Sequence, residues 1–171
     1  MAQITPRGGP DADVIPIGEA PSAARVPSQA PVRSAVLGRV GVLLVSHSRE
    51  LAQETADLAR AMAQTDDPSA VAATGGHPGE AMLGSALLIA AAARRVDQGH
   101  GVAVLADLPA PVHMVLALLA KADEHGLPFP VRFADAPFVE GAVAAVATAS
   151  AGGDLAAVVE AAEEAYRQRK V

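Results

Sequence analysis

Cysteine is absent from this 171-residue chain, so disulfides, zinc–thiolate sites and thiol nucleophiles are excluded as accounts of its fold or its chemistry. Aromatic residues are scarce as well, with no Trp, one Tyr and three Phe. A core without large rings must be built from Ala, Val and Leu, which suits helices packed closely on a parallel sheet. Basic clusters are missing: 13 Lys and Arg stand against 19 Asp and Glu, for a formal net charge of −6. That balance does not neutralise nucleic-acid phosphates, so no nucleic-acid partner is expected. Nor does any apolar run reach the ~18 residues of a membrane span, since the stretch Ala86 to Ala93 stops at Arg94 and Arg95. Arg7, Asp11 and Asp13 fall where a secretory apolar region would lie, so a cytoplasmic location without membrane association is expected.

What is present is enough for one core, with 51% hydrophobic residues in a chain of single-domain length. Residues 1–39 are rich in Pro, Ala, Gly and Ser, and Pro6, Pro10, Pro16, Pro21, Pro27 and Pro31 break every periodicity. This composition predicts a disordered N-terminal extension, within which Val14 to Ile17 could pair as a short edge strand or docking peptide. The ordered domain is expected over 40–171. It opens with Val40 to Val45, an apolar run too short for a helix and typical of a strand buried on both faces. Leu51, Thr55, Leu58 and Met62 then recur at helical spacing, with Ser48 as N-cap and Glu50 in the first turn.

The same alternation continues. Val71 to Thr74, Val102 to Ala106 and Val131 to Phe133 read as strands. Leu83, Leu87, Leu88 and Ala91 mark a helix, as do Val112, Val115, Leu116 and Leu119. Two further helices are expected, one over Val139 to Ala149 and one with Leu155, Val158, Val159, Ala162 and Tyr166 on one face. Strands separated by helices require right-handed crossovers. The predicted fold is a small doubly wound α/β sandwich, mostly parallel, with helices on both faces. Sites in such folds lie beyond the carboxyl ends of the strands.

His47 stands there, between the first strand and a helix N-terminus that favours an anion. A neutral imidazole is a good nucleophile near pH 7 and can accept and release a phosphoryl group. Ser46 and Ser48 could donate to the phosphate oxygens or to the ring. The position equally suits an ordinary loop histidine beside an N-capping serine. Asp107 ends the third strand as His47 follows the first, so a carboxylate could orient the imidazole; it could also simply cap the next helix, which Pro109 and Pro111 begin. His77 lies in a Gly-rich loop that lacks the Lys-Ser/Thr ending of a P-loop. His100, His113 and His125 have no ligand at metal-binding spacing, so no metal site is expected. Glu140 reads as a first-turn acid of its helix.

Val45-Ser46-His47-Ser48, Gly84-Ser85, the strand ending in Asp107-Leu108, and Ala136-Pro137-Phe138-Val139-Glu140-Gly141-Ala142 together resemble the mannose-type IIA domain. More narrowly, they are similar to the phosphotransferase subunit of PEP-dependent dihydroxyacetone kinases. The resemblance runs from about Val40 to the C-terminus. It implies that His47 accepts a phosphoryl group from the phosphocarrier protein HPr and passes it to a separate kinase subunit. It also implies a homodimer with no cofactor bound directly, since ADP and ATP would sit on the partner kinase subunit. One departure stands out. The family's third strand usually runs into Asp-Leu-Gly-Ser-Ala, whereas this chain reads Asp107-Leu108-Pro109-Ala110-Pro111, and Pro109 has no N–H to offer an anion. The alternative is therefore a regulatory or interaction module that kept the fold and lost efficient transfer.

Overall fold

The six residues Gly41–Ser46 form β1, in which every residue is buried. It lies inside a sheet of four parallel strands, with β2 (Val71–Gly75) on one side and β3 (Val102–Ala106) on the other. Strand β4 (Val131–Phe133) completes the order β2-β1-β3-β4 by pairing with β3. The computed structural model that gives this architecture describes residues 38–75 and 82–168. The segment 1–37, which carries most of the expected extension and Val14 to Ile17, lies outside the described residues, as does His77. Order is already present ahead of Val40: the Arg39 main-chain N–H donates to Gln98 Oε1 at 2.8 Å, and its guanidinium pairs with Asp67 at 2.8 Å.

Between the strands run α1 (Arg49–Met62), α2 (Met82–Val96), α3 (Pro109–Leu119) and the single turn α4 (Ala122–His125). After β4 come α5 (Phe138–Ser150) and α6 (Leu155–Glu164), closed by a 3₁₀ turn over Ala165–Arg167. Local chemistry sets these ends. Ser48 caps α1 by accepting from the Leu51 N–H at 3.2 Å, and Asp154 caps α6 by accepting from the Ala157 N–H at 2.8 Å. Gly126, left-handed at φ 61°, ends α4.

Each face of the sheet carries its own core. Val42 and Leu44 join Ala52, Ala56 and Ala59 of α1 with Ala142, Ala145, Val146 and Ala149 of α5 and the apolar side of α6. Leu43 and Val45 point the other way, into Ile89, Ala93 and Val96 of α2 and Val115 and Leu118 of α3. The fold is thus doubly wound, with α1, α5 and α6 on one face and α2 and α3 on the other. Leu51 and Leu58, which mark α1 in the sequence, and Leu87 and Leu88, which mark α2, do not face the core. Leu51, Leu58, Met62, Leu87 and Leu88 are all exposed, and alanines, with Thr55 of α1 and Ile89 and Val96 of α2, take the sheet-facing positions. The strands already fill the interior with Val and Leu, so the small side chains of α1 let that helix close to packing distance.

Chain reversal places the functional region. From β1 the chain steps to β2 on one side and then returns across to β3 on the other. The carboxyl ends of β1 and β3 therefore flank the topological switch point, where the loops diverge and leave a crevice.

Candidate functional site

His47 and Asp107 meet at this switch point. β1 and β3 are paired in register from Gly41 with Val102 to Val45 with Ala106, so the residues just past each strand end emerge together. The Asp107 N–H extends the ladder by donating to the Val45 carbonyl at 3.3 Å. Its carboxylate then turns back over β1. Oδ2 accepts the Ser46 hydroxyl proton at 2.6 Å, and the two carboxylate oxygens lie 3.2 and 3.1 Å from the His47 main-chain nitrogen, which donates to them.

This arrangement changes what the sequence suggested for three residues. Asp107 was expected to orient the imidazole of His47; its contacts run instead to the main-chain N–H of His47 and to the Ser46 hydroxyl, so it fixes the loop that carries the ring. Ser46 was expected to hold phosphate. It is only 2% exposed, donates its single proton to Asp107, and accepts from the Ser48 N–H at 2.9 Å. With its proton committed, Ser46 has none to offer a phosphate oxygen. Ser48, the other expected phosphate donor, is half-buried; its hydroxyl accepts from the Leu51 N–H and lies 3.1 Å from Glu50 Oε2, to which it donates. A phosphate would have to win that proton from Glu50.

The result is a tightly specified loop with one exposed functional group, the His47 side chain. Its N–H neighbours are largely spoken for: His47 gives to Asp107, Ser48 to Ser46, and Leu51 to Ser48. Arg49, the first residue of α1, carries the next main-chain N–H in sequence, which takes no part in these bonds. On the opposite side, α3 begins with Pro109, and its N-cap Leu108 makes no side-chain cap bond. Pro109 and Pro111 contribute no N–H, so the α3 terminus is a poor anion receptor and the positive end of α1 is the better one.

Gly75 is a contributor that sequence reading passed over. A Cβ there would lie 2.8 Å from the Ser46 carbonyl oxygen and 2.9 Å from the Arg49 backbone. The end of β2 thus presses against the His47 loop from outside, and only glycine permits that approach. Its signal in the sequence is the Gly75-Gly76 pair that follows Val71 to Thr74. Gly141, within the Glu140-Gly141 segment, has a like role: a Cβ would come 2.7 Å from Ala136 Cβ and 3.1 Å from Leu105 Cδ2, so α5 sits close over the end of β3. Glu140 falls in the first turn of α5. Among the described residues, no group of three or more His, Cys, Asp or Glu is placed to hold a metal ion.

Together these features define an α/β domain that presents an exposed histidine on a braced loop at the sheet's switch point. The family model described as the PTS system fructose IIA component, of the mannose-type IIA class, matches residues 41–159. The chain belongs to that family. Its components serve phosphoryl transfer in the sugar phosphotransferase system. No curated protein matches the chain. Among solved structures it is similar to a protein of unknown function, EF1359, at 23% identity and a TM-score of 0.58, covering 74% of this chain and 94% of that one. It is also similar to a sigma-54 interaction domain protein from Enterococcus faecalis, at 14% identity and a TM-score of 0.59, covering 76% and 92% of the two chains. At these identities the likeness is one of fold. Among the described residues, no helix is long and apolar enough to cross a membrane.

Proposed function

We propose that the chain is a phosphoryl-relay subunit that accepts a phosphoryl group from HPr on His47 and passes it to the ADP-bound subunit of a PEP-dependent dihydroxyacetone kinase. The observation that carries this reading is the bracing of the His47 loop: Asp107 and Ser46 fix its backbone while the imidazole stays exposed to a partner. In the first step the neutral ring nitrogen attacks the phosphorus of the donor's phosphohistidine. The new N–P bond forms as the donor's N–P bond breaks, and the donor imidazole leaves with the electron pair and gains a proton at its other ring nitrogen as His47 loses the one on its own. The second step runs the same exchange toward a β-phosphate oxygen of ADP, and His47 leaves as neutral imidazole. Because the loop is already held, little reorganisation is needed on this side of either exchange. The Arg49 N–H and the dipole of α1 would receive the bound phosphoryl group. Homodimer formation is part of this proposal.

A second reading is a regulatory or interaction module. The specific observation favouring it is the proline-blocked start of α3 beside the site, and a structural neighbour described as a sigma-54 interaction domain protein is compatible with it. Incubation with phosphoenolpyruvate, enzyme I and HPr, followed by mapping of phosphohistidine, decides between them. The relay predicts a single label on His47, lost in His47→Ala with the fold intact. An unlabelled wild-type chain would overturn the relay and favour the module.

A further inference from the structure

Beside the His47 loop, on the outer edge of the sheet, lies a second feature whose side chains the relay does not use. Arg49, Ala73, Thr74, Gly75, Leu88 and Arg95 are among the residues lining a cleft of about 170 Å³. Its two cations come from different elements, Arg49 from the first turn of α1 and Arg95 from the last turn of α2. Among the described residues, no carboxylate lines the cleft and neither arginine has an ion pair. Neighbouring arginines of this chain behave differently. Arg39 pairs with Asp67 and Arg60 with Asp57, while Arg94 donates to the carbonyls of His125 and Gly126. Two guanidinium groups around one small cleft repel each other unless an anion lies between them. The Thr74 hydroxyl adds a neutral donor to the same wall.

We propose that this cleft is an oxyanion subsite for a phosphate-type group, separate from His47. Guanidinium forks match phosphate oxygens in geometry as well as charge, and the cleft has room for a phosphate or diphosphate but not for a whole nucleotide. Gly75 links the two places, since its backbone forms part of the cleft and packs directly on Ser46 and Arg49. A phosphate-bearing ligand seated here would therefore lie next to the residue that we propose carries the phosphoryl group. That use rests on the relay reading, whereas binding itself does not.

The test is a titration of the full-length chain with inorganic pyrophosphate, followed by calorimetry and by backbone amide NMR shifts. Saturable binding is expected, with shifts at Thr74, Gly75 and Arg49. Arg49→Gln and Arg95→Gln should each weaken it about tenfold, as loss of one charge-assisted contact implies. Arg94→Gln, on the same helix but outside the cleft, should leave affinity unchanged, and so should His47→Ala, which separates this subsite from the relay. ADP run alongside pyrophosphate distinguishes the source: tighter ADP binding assigns the subsite to a nucleoside diphosphate, and equal affinity assigns it to the bare oxyanion. Either result upholds the subsite. Absence of saturable binding, or equal affinity of wild type and both cleft arginine variants, overturns it.

Discussion

At the scale of single residues, the site depends on a serine that never touches a ligand. The Ser46 hydroxyl is both the 2.6 Å donor to Asp107 and the acceptor of the Ser48 N–H, inside a residue that is almost wholly buried. Ser46→Ala removes both bonds and leaves a part-buried carboxylate and an amide without this partner. An expected cost of about 1–3 kcal/mol follows from leaving such groups unsatisfied. Urea denaturation should show a lower midpoint, and HPr-dependent labelling of His47 should slow as the loop loosens. An unchanged midpoint would mean that water replaces the hydroxyl without penalty. Tyr166 allows a second residue-scale test because it is the one tyrosine in the chain. Desolvation raises its pKa above the ordinary phenol value of about 10, and the Asp135 carboxylate, 3.3 Å from its hydroxyl, raises it further. A raised phenol pKa stabilises the folded state below the unfolded value, and that contribution is lost as pH rises through the folded one. Absorbance titration near 295 nm should therefore give a midpoint above that of free tyrosine, and Asp135→Asn should bring it down. Equal midpoints in the two proteins would show that Asp135 has no part in it.

At the scale of elements, the strands were the most legible part of the sequence. Val102 to Ala106 and Val131 to Phe133 form strands over the expected residues. The first strand is shifted by one, to Gly41–Ser46, because Ser46 still pairs with Gly75 across the sheet. For Val102 to Ala106, buried throughout, legibility has a physical cause: a strand buried on both faces has no polar positions to blur its ends. Helix existence was equally readable, and so was the buried face of α6, where Leu155, Val158, Val159 and Ala162 enter the core, but the orientation of α1 and α2 was not. Leucine spacing found α1 and α2, yet of the residues that marked α1 only Thr55 is buried, beside Ala52, Ala56 and Ala59, and the buried face of α2 holds Ile89, Ala90, Ala93 and Val96. Hydrophobic period alone ranks leucine above alanine, whereas close packing against a sheet crowded with Val and Leu favours the smaller residue. The four-residue α4 is too short to show any period. The site divides in the same way. Strand ends and topology brought His47 and Asp107 into one reading, because backbone register is set by the elements. Which groups the Asp107 carboxylate would accept from depends on side-chain direction at the loop, and no sequence pattern encodes that.

At the scale of the whole molecule, the sheet divides the domain into two cores that differ in how well they can repair damage. Leu43 and Leu44 are consecutive residues of the central strand, both fully buried, and they point into opposite layers. Around Leu44 the α1 and α5 surfaces are dominated by alanine, with Ala52, Ala56, Ala59, Ala142, Ala145 and Ala149 in its cluster. Alanine has no rotamer with which to fill a void. Around Leu43 stand Ile89, Val96, Val115 and Leu118, whose longer branched chains can shift into vacated space. Leu→Ala substitutions in cores cost about 2–5 kcal/mol, and the spread reflects how far each site collapses. Leu44→Ala should therefore lie toward the upper end of that range and Leu43→Ala toward the lower, although the two side chains are chemically identical and equally buried. Chemical denaturation of both variants under the same conditions measures the difference directly. Equal losses, or a greater loss for Leu43→Ala, would show that the alanine-lined layer relaxes as readily as the branched one, and that the helices α1 and α5 themselves move inward to close the cavity.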